Sequence, residues 1–229
     1  MVTFQDLQEL PSRFAGRTFK QISLVHFLTQ DDEEVAQVEA WGVRTERGTA
    51  KGKGKYRYLQ PQKYTANDLT NIADEYATET CRAAKPLYWD DLEIGQQTPS
   101  IVRDPYTTTI AVAFEQAWGG LFTRSHGFWF DLVSRHPALW LQNEHGVPEP
   151  PEAVHWDSAL ARSAGVPTAY DYGPELISWM ATMLSNWCGD QGRLVGLNCE
   201  IGRFNLWAIC QRGERTVKGN GQVVLPRRP

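Results

Sequence analysis

An apolar helix predicted to begin near Pro174 constrains this fold more than any other stretch of the chain. Asp171 and Gly173 can cap its first turn, and Pro174 suits that turn because proline has no N–H to leave unpaired. Gly189, directly after Cys188, predicts the end of the helix. Apolar residues lie around most of its circumference, so the helix requires neighbours on several sides. They are Leu176, Ile177, Trp179, Met180, Met183, Leu184 and Trp187.

The segments that follow this helix are predicted to be strands. Residues 195–201 alternate between apolar and small or polar side chains, the pattern of a strand with one buried face. The alternation slips at Gly202-Arg203-Phe204, where we expect a β-bulge. Residues 216–225 alternate again, and Pro226 ends the pattern.

The first part of the chain, residues 1–47, is predicted to be mainly β-structure. After a short helix expected at residues 3–10, the segments 22–29 and 35–44 flank a polar turn and predict a hairpin. Two strands alone are marginally stable in water. The hairpin therefore needs a further sheet, either in this chain or in a partner.

A basic linker and a bridging helix are predicted over residues 48–85. Residues 44–58 are rich in lysine, arginine and glycine and have no apolar periodicity, which is typical of an exposed connection. Its lysines could also contact a phosphate group. Thr65 and Asp68 have the spacing of a helix cap, and an apolar stripe follows them.

The main domain is predicted to span residues 86–229. We expect it to begin with a strand and a turn at 87–95, followed by a helix at 107–118, which starts with threonines that can cap it. Residues 119–151 are rich in aromatic side chains and in residues that interrupt helices and strands. Such a segment can contribute to a core, to an oligomer interface or to the lining of an acyl pocket.

The composition predicts an ordinary globular protein. A chain of 229 residues can bury one substantial core, and its net charge of -4 with a pI near 5.8 gives no reason to expect nucleic acid or an anionic membrane as partner. No apolar run is long enough to cross a bilayer and the N-terminus does not resemble a signal peptide, so we expect a cytoplasmic location. The four cysteines form no CxxC pair and no metal-ligand spacing with the five histidines, so no metal or redox cofactor is expected.

Several stretches together resemble the MaoC-like dehydratases, which are enoyl-CoA hydratases. They are the entry segment YWDDLEIGQ, the helix end FEQAWGG, the HWD motif at His155 and the long helix that a glycine precedes. The resemblance extends from about Pro86 to the C-terminus and is strongest over residues 154–187. It implies an α+β hotdog fold, in which a curved antiparallel sheet is wrapped around a long central helix. Residues 1–47 then resemble part of a second, incomplete hotdog unit.

The family's hydration motif, GDxNPIHxD, matches this chain in part. His155 and Asp157 correspond to its histidine and its last aspartate, whereas Pro150 stands where the motif has its catalytic aspartate. Further on, the family's Ala-His-Gly at the start of the central helix is replaced by Asp171-Tyr172-Gly173. The resemblance therefore implies a catalytic role for His155 and requires another carboxylate in place of the missing one.

Hydration of a 2-enoyl thioester needs a base to activate water, an acid to protonate C2 and donors to stabilise the carbonyl oxygen. His155 can act as base or acid because imidazole titrates near neutral pH. Asp171 is the preferred second carboxylate because it lies next to the helix start. Asp157, Glu152 and Glu144 are the alternatives.

The substrate is expected to contact the start of the central helix. The N–H of Gly173 lies at the positive end of the helix dipole and can bind the thioester oxygen. Tyr170 and Tyr172 are expected to contribute to the same binding site. Structural roles stay open, because Asp171 and Asp157 can each cap a helix and a histidine beside a tryptophan can serve packing alone.

Three functions are compatible with these residues. The first is a hydratase or dehydratase, a lyase that acts on a 2-enoyl or 3-hydroxyacyl thioester of CoA or of a carrier protein. The second is a hotdog thioesterase, and the third is a non-catalytic subunit that binds an acyl thioester or completes an active partner. The resemblance implies a homodimer or a heterodimer with another hotdog subunit, and the shortage of strands in the main domain favours the same expectation.

Overall fold

The computed structural model describes residues 1–12, 17–45, 63–120, 123–201 and 217–228, and these form an α+β fold with antiparallel sheets. The chain divides into two compact units. The first unit consists of residues from 1–58 together with the short segment Ser163–Val166. The second unit consists of residues from 59–162 and 167–229. The basic stretch 46–58, the bulge expected at 202–204 and Cys210 lie outside the described residues.

The N-terminal unit is a three-stranded antiparallel sheet in the order β1-β2-β3. Its strands are β1 (Val2–Leu10), β2 (Thr18–Leu28) and β3 (Glu34–Thr45), so the predicted hairpin is confirmed. The turn between β2 and β3 is closed by the Thr29 hydroxyl, which accepts hydrogen bonds from the N–H groups of Asp31 and Glu33.

The helix predicted at residues 3–10 is wrong, because this segment is β1. Pairing with β2 decides its conformation, since a ladder along a long neighbouring strand satisfies backbone groups that a single short helix leaves unpaired. A bulge between Phe4 and Asp6 shifts the register and places Phe4 and Leu7 on the same face of the sheet. Periodicity within nine residues could not reveal this distant partner.

The second unit contains five helices among its described residues. They are α1 (Ala66–Thr78), α2 (Thr108–Trp118), α3 (His126–Arg135), α4 (Ser158–Ser163) and α5 (Gly173–Cys188), with 3₁₀ helices at Trp89–Asp91 and Pro151–His155. The predicted cap of α1 is confirmed as a reciprocal capping box between Thr65 and Asp68. The predicted start of α2 is confirmed as well, since the Thr107 hydroxyl accepts from the N–H of Ile110.

Of the strand and turn predicted at residues 87–95, the strand is wrong, whereas a turn is present and is closed by the hydrogen bond from the N–H of Gln96 to the carbonyl of Glu93. This segment contains the 3₁₀ helix Trp89–Asp91, in which the N–H groups of Asp91 and Leu92 bond to carbonyls three residues earlier. Two consecutive aspartates favour such a local turn, and the C-terminal end of the chain holds it, since Arg228 pairs with Asp91.

Helix α5 begins and ends where the sequence predicts. Tyr172 occupies the N-cap position without a side-chain hydrogen bond, Asp171 lies one residue before it, and Gly189 follows the last residue of the helix. The antiparallel strands β6 (Arg193–Ile201) and β7 (Val217–Val224) pack against α5. The contact is close, because a Cβ atom on Gly221 would lie 2.3 Å from Cδ1 of Leu184.

The remaining strands, β4 (Leu141–Gln142) and β5 (Pro148–Glu149), form a small hairpin in the aromatic segment. It leads into a buried cluster around the 3₁₀ helix Pro151–His155 and α4, with Ala153 and Ala161 fully buried. Within the described ranges no helix combines the length and apolar character needed to cross a membrane. The same ranges contain no group of three or more side chains arranged to hold a metal ion.

Candidate active site

His155 lies at the end of the 3₁₀ helix Pro151–His155, next to the segment that leads into α5. Its Nδ1 is 3.0 Å from the carbonyl oxygen of Tyr170. The imidazole packs against two aromatic rings in edge-to-face geometry, with ring centroids 4.5 Å away for Tyr170 and 4.7 Å away for Tyr172. The structure therefore brings together three of the residues that the sequence assigns to the site.

The surroundings of His155 favour a neutral imidazole. Burial lowers its pKa from 6.5 to about 4, although hydrogen bonds with the backbone of Tyr170 and Asp171 oppose this shift. A carbonyl oxygen only accepts hydrogen bonds, so Nδ1 carries the proton in the neutral ring and Nε2 keeps its lone pair. The residue is partly exposed rather than sealed in the core. His155 can thus serve as a base at neutral pH.

Asp157 is engaged in a structural contact. Its Oδ1 accepts hydrogen bonds from the N–H groups of Ala159 at 2.7 Å and Leu160 at 3.1 Å, which makes Asp157 the N-cap of α4. These bonds explain the aspartate at this position without a role in catalysis.

Asp171 is buried beside the start of α5, with only 1% of its surface exposed. Burial raises the pKa of Tyr170 to about 12, and the negative charge of Asp171 contributes to this rise. The same charge contributes to the raised pKa of Tyr106. Asp171 therefore lies within electrostatic reach of the tyrosines around the helix start.

A buried carboxylate that the sequence interpretation missed, Glu115 on α2, lies at the centre of a hydrogen-bond network. Its side chain accepts from Nε1 of Trp118 at 3.1 Å and from the hydroxyl of Thr123 at 3.4 Å. Tyr172 also donates to it, and burial together with the charge of Glu115 raises the pKa of the Tyr172 phenol. One signal was visible in the sequence: a single charged residue within a largely apolar helix segment, AVAFEQAW.

Glu152 is connected to His155 by local geometry. The two residues are three positions apart in one 3₁₀ helix, where side chains at i and i+3 lie on the same side. Burial, and to a lesser extent the charge of Glu115, raises the pKa of Glu152. Within the described residues its buried Oε2 has no hydrogen-bond partner. These surroundings favour the protonated form of the Glu152 carboxyl group relative to a carboxyl group in water.

Gly173, in the first turn of α5, lies two positions from each of the acidic residues Asp171 and Glu175. Glu175 is 4% exposed and accepts a 2.6 Å hydrogen bond from the Tyr106 hydroxyl. Burial raises its pKa, although hydrogen bonds from Tyr106 and Trp179 oppose the shift. The neutral form of Glu175 would remove a repulsion against an oxyanion at Gly173, whereas its ionised form would weaken binding there.

The other acidic candidate, Glu144, is far more exposed than the residues around His155. Glu144 pairs with its neighbour His145 at 3.7 Å, and about three quarters of each side chain is exposed, 76% in both cases. Such a pair contributes little and is not a preorganised catalytic group.

No protein-family model, curated protein or solved structure matches this chain. Chemical inference therefore rests on the geometry of the site. It combines an imidazole that burial keeps neutral, a half-buried carboxyl group with a raised pKa, and Tyr172, which packs on the imidazole and bonds to Glu115.

Proposed function

We propose that this chain is a hydratase or dehydratase of 2-enoyl and 3-hydroxyacyl thioesters, with a MaoC-like hotdog arrangement of its second unit. The observation that carries the proposal is the spacing of Glu152 and His155, three positions apart in one 3₁₀ helix, where side chains at i and i+3 lie on the same side. Burial lowers the pKa of His155 and raises that of Glu152, so it favours the neutral form of each, the forms in which the imidazole acts as a base and the carboxyl group as an acid.

In the hydration direction, Nε2 of His155 takes a proton from water, and the hydroxide oxygen forms a bond with C3 of the substrate. The electrons of the C2–C3 double bond move towards the thioester carbonyl, where the N–H of Gly173 stabilises the enolate oxygen. Glu152 then donates its proton to C2. A proton returns from His155 to Glu152 through solvent, which restores both groups for the next turnover.

The other residues support these two. Tyr170 holds His155 in one tautomer through its carbonyl oxygen, and Tyr172 packs on the ring while its hydroxyl bonds to Glu115. Asp171, buried beside Gly173 at the start of α5, stays a candidate for the second catalytic carboxylate. Asp157 caps α4, so the proposed reaction is written without it, and its catalytic role stays a prediction.

The test is loss of enoyl absorbance with short, medium and bulky enoyl-CoA substrates, accompanied by a reagent that detects free thiol. We expect loss of the enoyl chromophore without thiol release. His155→Ala and Glu152→Gln should each lower kcat by about 100-fold or more, the range for loss of a general acid or base. His145→Ala, which alters an exposed histidine, is the matched control and should retain wild-type activity. Wild-type activity in His155→Ala would refute the assignment.

A non-catalytic, partner-completing subunit is the second candidate. It is favoured by the use of Asp157 as a cap and by the exposed apolar side chains of the N-terminal sheet. Such a chain would leave enoyl thioesters unchanged until its partner is added. Release of free thiol would instead assign the site to a thioesterase.

A further inference from the structure

One face of the N-terminal sheet is apolar and exposed. On this face, which we call the apolar face, lie Val2, Phe4, Leu7, Phe27 and Val38, and each is between 46% and 69% exposed. Together they offer roughly 500 Å² of apolar surface, near the upper end of patches on monomeric proteins. Such a surface indicates an interface.

Large and small residues are separated across the apolar face. Strand pairing aligns Phe4 on β1 with Ser23 on β2 and Ala40 on β3 in one row, because paired residues point to the same face. The next row on this face contains Leu7, Gln21 and Gly42. The β1 edge therefore carries bulky side chains, and the β3 edge carries small residues directly across from them.

We propose that the apolar face binds the same face of a second copy of this chain, about a two-fold axis parallel to the strands. Such an axis exchanges the two edges, so β1 of one protomer lies over β3 of its partner while the order of the rows is kept. The bulky Phe4 side chain then fills the space above Ala40 of the other copy, and Leu7 fills the space above Gly42. Two stacked sheets about 10 Å apart accommodate this interdigitation.

The charged end of the face follows the same symmetry. Glu9, Phe19 and Arg44 form its last row, so the axis places Glu9 of one protomer opposite Arg44 of its partner. In the single chain Glu9 pairs with Arg17 at 3.3 Å, and the Arg44 Nε donates to Gln21 at 3.2 Å. Both contacts involve exposed side chains and can coexist with a pair between protomers. The row carries a negative charge at the β1 edge and a positive charge at the β3 edge. A two-fold axis matches each charge with the opposite one on a second copy, which a partner carrying only positive or only negative charges could not do.

The opposite face of the sheet is less suited to self-association. It carries Asp6, Lys20 and Glu39, and Lys20 lies over the ring of Trp41 with its Nζ 4.7 Å from the centroid. Burying these charges would cost free energy without a matching set of partners. A stable interface buries about 800 Å² on each side. The apolar face approaches this area once its small residues and charged row are included.

Sedimentation equilibrium of the full chain tests whether bulky residues on β1 pack over small residues on β3 of a second copy. We expect a dimer for the wild type. Phe4→Ala should raise the dimer Kd by about 10-fold or more through loss of the bulky group, and Ala40→Phe should raise it through a clash. The double variant Phe4→Ala/Ala40→Phe moves the bulky group to the other edge. It should restore the dimer to within about threefold of wild type, which shows that the two positions meet across the axis.

The charged row supplies an independent arm. Glu9→Arg and Arg44→Glu should each weaken the dimer, and their combination should restore it, with both effects reduced by salt. Glu39→Arg on the opposite face is the matched control and should leave the Kd unchanged. Circular dichroism of each variant verifies that the sheet is folded. A monomeric wild type, equal sensitivity to Glu39→Arg, or failure of both double variants to recover would overturn the proposal.

Discussion

The lowered pKa of His155 predicts a defined dependence of stability on pH. In the unfolded chain the imidazole has a pKa of about 6.5, whereas burial lowers it to about 4 in the folded protein. Below pH 6.5 the unfolded state therefore binds a proton that the folded state does not accept until pH 4. The free energy of unfolding falls as pH decreases through this window, and the contribution is fully present only above pH 6.5.

The magnitude follows from the size of the shift. At about 1.4 kcal/mol per pKa unit, a shift from 6.5 to about 4 corresponds to roughly 3 kcal/mol lost between pH 7 and pH 4. His155→Gln removes the titrating group while its amide N–H can still donate to the Tyr170 carbonyl. The variant should therefore lose less stability on acidification than the wild type, by about 3 kcal/mol.

Urea unfolding of both proteins from pH 4 to pH 8 measures this difference, and comparison of the two curves removes contributions from other groups. That subtraction matters because Glu152 and Glu175 have raised pKa values, so their protonation increases the free energy of unfolding as pH falls, whereas protonation of His155 decreases it. NMR titration of the His155 ring provides the direct measurement, with His155→Gln to identify its signal. A flat difference curve together with a ring pKa near 6.5 would refute the lowered pKa of His155, whereas a role as base is compatible with either value and is tested by His155→Ala.

Two further substitutions test the surroundings of the site. Asp157→Ala should lower the free energy of unfolding by about 1 kcal/mol through loss of the α4 cap, and the turnover of the folded fraction should match wild type; a loss of turnover as large as that of His155→Ala would restore Asp157 as a catalytic residue. Gly120→Ala should destabilise the protein by about 1–3 kcal/mol in thermal or urea unfolding, because its Cβ would lie 1.7 Å from Oε1 of Glu115. Hydrogen bonds from Trp118 and Thr123 hold the Glu115 carboxylate in place. Gly127→Ala in α3, where a Cβ meets nothing within 4 Å, is the control and should be neutral or stabilising; equal losses in both would show that Glu115 does not restrict this position.

Local signals predicted most of the helices and strands correctly. The threonines at positions 65 and 107 cap helices through short-range hydrogen bonds, and Gly189 follows the end of α5. Each signal acts within one helical turn, so the sequence carries it without information on distant contacts. The period-two patterns of β6 and β7 are local in the same sense.

The features that the sequence did not predict depend on distant contacts. The segment 3–10 becomes β1 through its ladder with β2, and Trp89 bonds through its N–H to the carbonyl of Pro226 near the other end of the chain. The candidate site shows the same limit. His155 was predicted from the HWD motif, and Tyr170 and Tyr172 from their position just before α5. Glu115 lies on a separate helix, and only the folded arrangement reveals its contact with Tyr172.

The bulge in β1 also determines which changes in chain length this strand can absorb. Gln5 has no partner in the ladder, since Phe4 pairs with Ser23 and Asp6 pairs with Ile22. Deletion of Gln5 would leave a regular strand in which all the remaining side chains keep their present faces. Deletion of Thr3 would instead turn Val2 to the opposite face. Gln5 therefore occupies the position at which a single-codon deletion is most compatible with this sheet, and homologous strands that differ in length by one residue are expected to differ there.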